Sequence, residues 1–248
     1  MHEELRSRLR DIERLLEPGR KVVKAVGDVA QPAWQQVTGL ESRVPVTGAV
    51  ATAIVLMSVL PSRVANHPRW LLPGLASILF LIVLAVNPMR ATDRSRRLRP
   101  LAFALLTVLS LGNAISAGRL IVDLVRSQGL KDPATLLLTG AAIWTTNMII
   151  FGVWYWEFDR GGPAARAMAV KRYPDFLFPQ MSDPEFAPPD WEPHFVDYLY
   201  LSFTNATAFS PTDVLPLARW TKLTMLAQSA VSLVTVALVI ARAVNVLK

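Results

Sequence analysis

Five stretches of this chain, 44–62, 70–89, 100–118, 133–156 and 223–241, contain no Asp, Glu, Lys or Arg over 19 to 24 residues each. All are rich in Leu, Val, Ile and Ala, which is the length and chemistry a membrane-spanning helix requires. A soluble protein of 248 residues scatters its charges more evenly, and a composition 52% hydrophobic and 18% charged agrees with the membrane setting. The reading is an all-α membrane protein with about five transmembrane helices, multi-pass in the cell inner (plasma) membrane, with the lipid bilayer as its first partner. The first apolar window begins only near residue 44, and nothing before it resembles a cleaved signal peptide.

A net charge of +7 raises the question of nucleic acid, but the basic residues cluster between the apolar windows and are not interleaved with aromatics on one face. No nucleic-acid partner is expected. The absence of cysteine removes disulfides, thiolate metal sites and Cys nucleophiles together.

Four regions follow from the pattern. Residues 1–45 form an N-terminal amphipathic or interfacial helical region. Leu5, Leu9, Ile12 and Leu16 recur at helical spacing until Pro18 and Gly19, and 20–45 is a weaker helical stretch broken by Pro32 and Pro45. The first helix either lies on the membrane surface or makes a short coiled-coil contact. Residues 46–156 hold four transmembrane helices. Residues 157–196, with seven prolines and seven acids, form an irregular, largely extended extramembrane loop whose Phe176, Leu177, Phe178, Phe186 and Trp191 pack back on the membrane domain. Residues 197–248 hold a re-entrant loop and the final helix. The linker 88–100 carries five arginines and acts as a topology signal, with a lipid-headgroup patch as its secondary reading.

The re-entrant reading rests on residues 198–212, YLYLSFTNATAFSPT, which are uncharged between Asp197 and Asp213. Fifteen helical residues reach about 22 Å, against a hydrocarbon core of ~30 Å. A segment that enters lipid without crossing it must be buried in protein or line a water-filled cavity.

From about Asp197 onward the sequence resembles the pore module of potassium channels, in which an aromatic-rich pore helix precedes a TVGYGD filter, a proline and an inner helix. With Asp213 on the filter aspartate, Thr207 and Ala208 fall on the threonine pair, and Phe209, Ser210, Pro211 and Thr212 fall on V, G, Y and G. Pro216 takes the place of the later proline, and IARAV at 240–244 matches the end of the inner helix. The resemblance covers about 50 residues, one-fifth of the chain. The whole chain also resembles a group of uncharacterised bacterial multi-pass membrane proteins. By the resemblance, the chain assembles as a homo-oligomer, a tetramer above all, since one copy supplies a quarter of a pore.

The departure from the filter is as informative. Glycines let successive carbonyls point at a bare ion, and this chain has none after Gly162. Pro211 fixes one φ and restricts Ser210 before it. Ordinary potassium selectivity is therefore expected to be absent. Thr204, Asn205, Thr207, Ser210 and Thr212 still offer groups that can partly replace ion hydration, Phe209 is the natural hydrophobic constriction, and Asp197 and Asp213, with Asp190 and Glu192 nearby, supply negative charge at the mouth for monovalent cations. The expected function is weakly selective cation passage. The alternative is a non-conducting scaffold or regulatory subunit, in which the small polar residues only satisfy the backbone of a folded-in hairpin.

Other features carry structural readings. Arg119 and Asp123 are spaced to pair on one helix face or to snorkel. The threonines and Asn147 of 133–156 are expected to bond between helices, and Trp154, Tyr155 and Trp156 to form an interfacial aromatic belt. Asp190, Glu192, His194 and Asp197 read as a solvated loop face before a divalent-ion site, so no metal or cofactor is expected. An enzyme needs catalytic groups facing one another, and the charge-free windows supply none. Charge bias, with 19 of 26 basic residues on one side, puts the N-terminus in the cytoplasm. Potassium channels face the other way, so the two signals disagree on orientation.

Overall fold

The computed structural model describes residues 33–246 apart from 40, 66–67, 87–92, 127–131, 184, 186, 189 and 208–212, with the backbone alone at 93–98 and 245–246. The amphipathic helix read over 1–17, Phe186, and the filter-like run Ala208, Phe209, Ser210, Pro211 and Thr212 lie outside the described residues. Of the weaker helical stretch at 20–45, the described part is a single 3-10 turn at Ala33–Gln35 followed by non-helical chain.

Each charge-free window falls on a helix: α1 (Val44–Ser58), α2 (Leu71–Val86), α3 (Asp93–Val125), α4 (Pro133–Phe158) and, at the C-terminal end, α8 (Arg219–Val246). Proline at the first turn starts α1 and α4, where its missing N–H costs nothing. Asp132 caps α4 by accepting from Thr135 N–H at 2.7 Å. Three segments, Arg99–Val125, Pro133–Ala167 and Arg219–Val244, are long and apolar enough to cross a membrane. The chain is thus a mostly helical membrane protein. The other two apolar helices, of 15 and 16 residues, reach only about 22–24 Å.

The region 157–196 is less extended than expected. Helix α4 runs on through Glu157 and Phe158, and a 3-10 turn at Asp159–Gly161 leads to α5 (Pro163–Ala167), β1 (Phe176–Leu177) and α6 (Pro179–Ser182). Arg160, Gly161 and Gly162 all have positive φ, and a Cβ at Gly162 would stand 2.9 Å from the Glu157 carbonyl. That close return of the chain requires glycine. The loop does pack inward: Phe176 and Phe178 belong to the main core.

Helix α7 (Phe195–Thr207) follows, and β2 (Leu215–Pro216) pairs antiparallel with β1 before α8 begins. Contacts fix the direction of α1, α3, α4, α7 and α8. At one end of the bundle, Glu41 before α1 meets Trp156 late in α4 and Phe195 at the start of α7, and Arg99 early in α3 meets Glu157. Trp220, opening α8, touches Phe158 and Phe176 at that same end. At the other end, Leu60 and Val64 after α1 cluster with Leu120 late in α3, Leu136 early in α4 and Val239 late in α8. Helix α7 starts at the first end and stops part-way, with the Ala206 carbonyl 3.4 Å from Trp144 Nε1. By Leu215 the chain is back at the end it left.

Two local expectations are corrected. Tyr155 and Trp156 are buried in the core and only Trp154 is half-exposed, so the three do not form a belt. Arg119 turns to the Ala65 carbonyl across the bundle and does not pair with Asp123.

Candidate functional site

The site builds around α7, whose two ends are held by different chemistry. At its start lies a knot of charge. Asp159 is fully buried and accepts from Tyr198 O–H at 2.6 Å, from the backbone N–H of Asp175 at 2.9 Å and of Phe176 at 3.3 Å, and from Arg160 Nε at 3.3 Å. Arg160 is buried too. It donates to the Trp34 carbonyl, lies over the Trp34 ring, and its own N–H reaches Asp175 at 2.7 Å. These bonds offset its left-handed backbone. Arg166 donates to the carbonyls of Trp156 and Asp159 and sits over the Tyr198 ring.

Glu41 caps α7 from outside, accepting from Phe195 N–H at 2.6 Å and Trp156 Nε1 at 2.7 Å, with Arg166 at 3.8 Å. Asp197 caps it from within by accepting from His194 N–H at 2.8 Å. Two carboxylates at a helix N-terminus match its positive dipole end. Burial pushes the Asp197 carboxyl above its ordinary value, against the pull of the His194 N–H. Burial also lowers the pKa of Arg43, opposed by the charges of Glu157 and Glu41.

Along its length α7 is bound by an amide and hydroxyl ladder. Tyr155 O–H donates to Gln228 Oε1 at 2.6 Å, and Gln228 Nε2 donates to the Ser202 carbonyl at 2.9 Å and Ser202 Oγ at 2.6 Å. Ser202 in turn donates its hydroxyl to the Met148 carbonyl at 2.6 Å. Asn205 Nδ2 donates to Gln228 Oε1 at 2.8 Å and the Met225 carbonyl at 3.0 Å, and its Oδ1 accepts from Ser229. One turn beyond, Asn147 bonds Ser232 between α4 and α8, as its position in the window predicts. The polar face of α8 is therefore turned inward, while Leu223, Leu226, Leu233, Val234 and Ile240 stand exposed.

The sequence-derived residues divide accordingly. Asn205 is part of the ladder. Thr204 donates its hydroxyl to the Tyr200 and Leu201 carbonyls, and Thr207 donates to that of Thr204, so both are satisfied within the helix. Asp213 is exposed where the chain returns, and Asp190 is exposed on the loop. Glu192 accepts from Thr38 Oγ1 at 2.6 Å. The four-residue acidic cluster is not gathered into a ligand set: among the described residues no group of three His, Cys, Asp or Glu side chains can hold a metal ion.

The knot itself was missed by sequence reasoning. Only the charges beside it left a signal: Arg43, Arg99 and Glu157 immediately bound three of the charge-free windows, so they meet wherever those window ends lie level. No family model, curated protein or solved structure matches the chain.

Proposed function

We propose that residues 197–248 act as a potassium-channel-like pore module in a five-pass protein of the inner membrane, four copies assembling around a shared pathway for weakly selective passage of monovalent cations. The observation that carries this reading is the course of the chain around α7. Helix α7 points its C-terminal end toward the bundle middle, and the run 208–212, which bears the filter resemblance, follows it before β2 returns to the starting end. In lipid this is a re-entrant half-helix. The partial negative charge of its last carbonyls then lies at membrane depth, where it favours a cation. The same contacts alternate α1, α3, α4 and α8 between the two ends, and α2 runs from Leu72, beside Gly112 in mid-α3, to Leu84, which shares a groove with Arg43 and Glu157. This course supports five crossings, with α1 and α2 as short ones. The exposed Leu and Val face of α8 is available to neighbouring copies. No catalytic role is part of this reading.

Planar-bilayer recording from the purified chain tests it. The expected result is a current carried by sodium and potassium to similar extents, and an absence of current under every voltage, pH and calcium condition overturns it.

A second reading, a non-conducting scaffold or regulatory subunit with a degenerate pore, is favoured by one observation: Thr204, Asn205 and Thr207 all spend their polar groups inside the protein. Mass measurement in detergent separates the two, because a monomer cannot form a shared axial pathway.

A further inference from the structure

A groove of about 640 Å³, part of it open to the surroundings, lies between α1, α2, α3 and α4. Its walls are apolar, with Val46, Val50, Phe80, Leu84 and Leu105 among them, and at its charged end stand Arg43 and Glu157. The slot runs inward from Arg43 past Val50, seven residues or about 10 Å along α1. It lies beside the outer face of α2, where Leu81, Ile82 and Leu84 are exposed.

Two features of the charged end call for an anion. Glu157 has three guanidiniums around it, those of Arg43, Arg99 and Arg166, and among the described residues Glu41 shares the load through Arg166 and Arg43. Three cations against two carboxylates leave one positive charge over. Moreover, the buried Nε of Arg43 has no hydrogen-bond acceptor, while that of Arg99 faces Glu157 Oε2 only at 3.6 Å, beyond hydrogen-bond reach. Arg99 stands one turn before Ala102, which lines the groove. Buried donors of this kind are costly unless something fills them.

We propose that this groove holds one acyl chain of an anionic phospholipid, with the lipid phosphate against Arg43 and Arg99. Guanidinium forks suit phosphate oxygens, and the apolar slot starts where a phosphate so placed would hand over to its acyl chain. The inference rests on the membrane setting and not on conduction, so a chain that passes no current leaves it standing.

Native mass spectrometry of the full-length chain tests it, after incubation with phosphatidylglycerol or with phosphatidylcholine of identical acyl chains. One phosphatidylglycerol is expected to be retained at least about tenfold more strongly, and Arg43→Gln to lose that preference by about tenfold, as for a charge-assisted bond. Ala102→Phe, which narrows the slot and leaves the arginines in place, is expected to reduce retention of both lipids. Equal retention of the two lipids overturns the proposal, as does an unchanged preference in Arg43→Gln. Inorganic phosphate alone, if it raises the melting temperature as much as phosphatidylglycerol does, identifies a free-anion site and overturns the lipid assignment. Arg43 decides the outcome because the Arg99 Nη2 bond to the Glu157 carbonyl, at 2.6 Å, also braces the fold.

Discussion

Replacing Asp159 with Asn tests whether the buried knot holds α7 in place. The substitution preserves shape but offers one acceptor oxygen where the carboxylate offered two. The amide introduced by Asp159→Asn can serve either the Tyr198 and Arg160 side or the Asp175 and Phe176 backbone side, and not both. It also leaves the Arg160 guanidinium, 3% exposed, without its carboxylate. Breaking a buried ion pair by removing one partner costs about 3–5 kcal/mol. Tyr198→Phe removes a single bond to a charged acceptor, worth about 1.5–3 kcal/mol. The Tyr198 bond is already lost or distorted in Asp159→Asn, so the double variant should be scarcely worse than Asp159→Asn alone. The coupling should therefore equal roughly 1.5–3 kcal/mol, close to the whole Tyr198→Phe effect. Reversible unfolding in mixed micelles, followed through the seven tryptophans, measures all four corners of the cycle. Effects that add to within about 0.5 kcal/mol, or an Asp159→Asn loss below about 1 kcal/mol, refute the reasoning.

Three further outcomes follow from the same geometry. Gln228→Leu strips the ladder of its bonds to Tyr155, Asn205 and Ser202 and should cost about 1–2 kcal/mol in the micelle assay, the range for hydrogen bonds between membrane helices; a neutral result means the ladder is not a brace. A Cβ at Gly152 would stand 3.2 Å from Leu199 Cα, so Gly152→Leu should push α7 off α4 at about 1–3 kcal/mol, read as lost stability, and a stable variant would contradict the close packing of these two helices. The raised Asp197 pKa means the folded chain holds that proton more tightly than the unfolded one. Its contribution to stability therefore falls as pH climbs from the ordinary value near 3.8 through the raised one. Melting temperatures over that range should fall less in Asp197→Asn than in the parent, and parallel curves would exclude Asp197 as the source.

The helices were legible because apolar length is a local property: 133–156 anticipates α4 to within two residues. Where helix and window differ, the cause is that a window measures the distance between charges and not the extent of hydrogen bonding. Helix α3 continues through Arg99 at one end and past Arg119 and Asp123 at the other, since long charged side chains need not break a helix. The knot was not readable, since Glu41 finds its partners 115 and 154 residues away, and no local pattern encodes such pairings. Nor did the sequence reveal that Asn205 would turn toward α8. That choice depends on Gln228 and Ser229 facing it, a matter of helix rotation and not of composition.

The strap before α1 has a consequence for how the chain is made. Thr38 bonds Glu192 and Glu41 bonds Phe195, each across 154 positions. During synthesis, at about 5–20 residues per second, the strap waits roughly 8–30 s before the ribosome delivers what completes it. The earliest described residues of the polypeptide are thus among the last to settle, and a nascent chain halted before residue 192 would leave Glu41 without the helix it is built to cap.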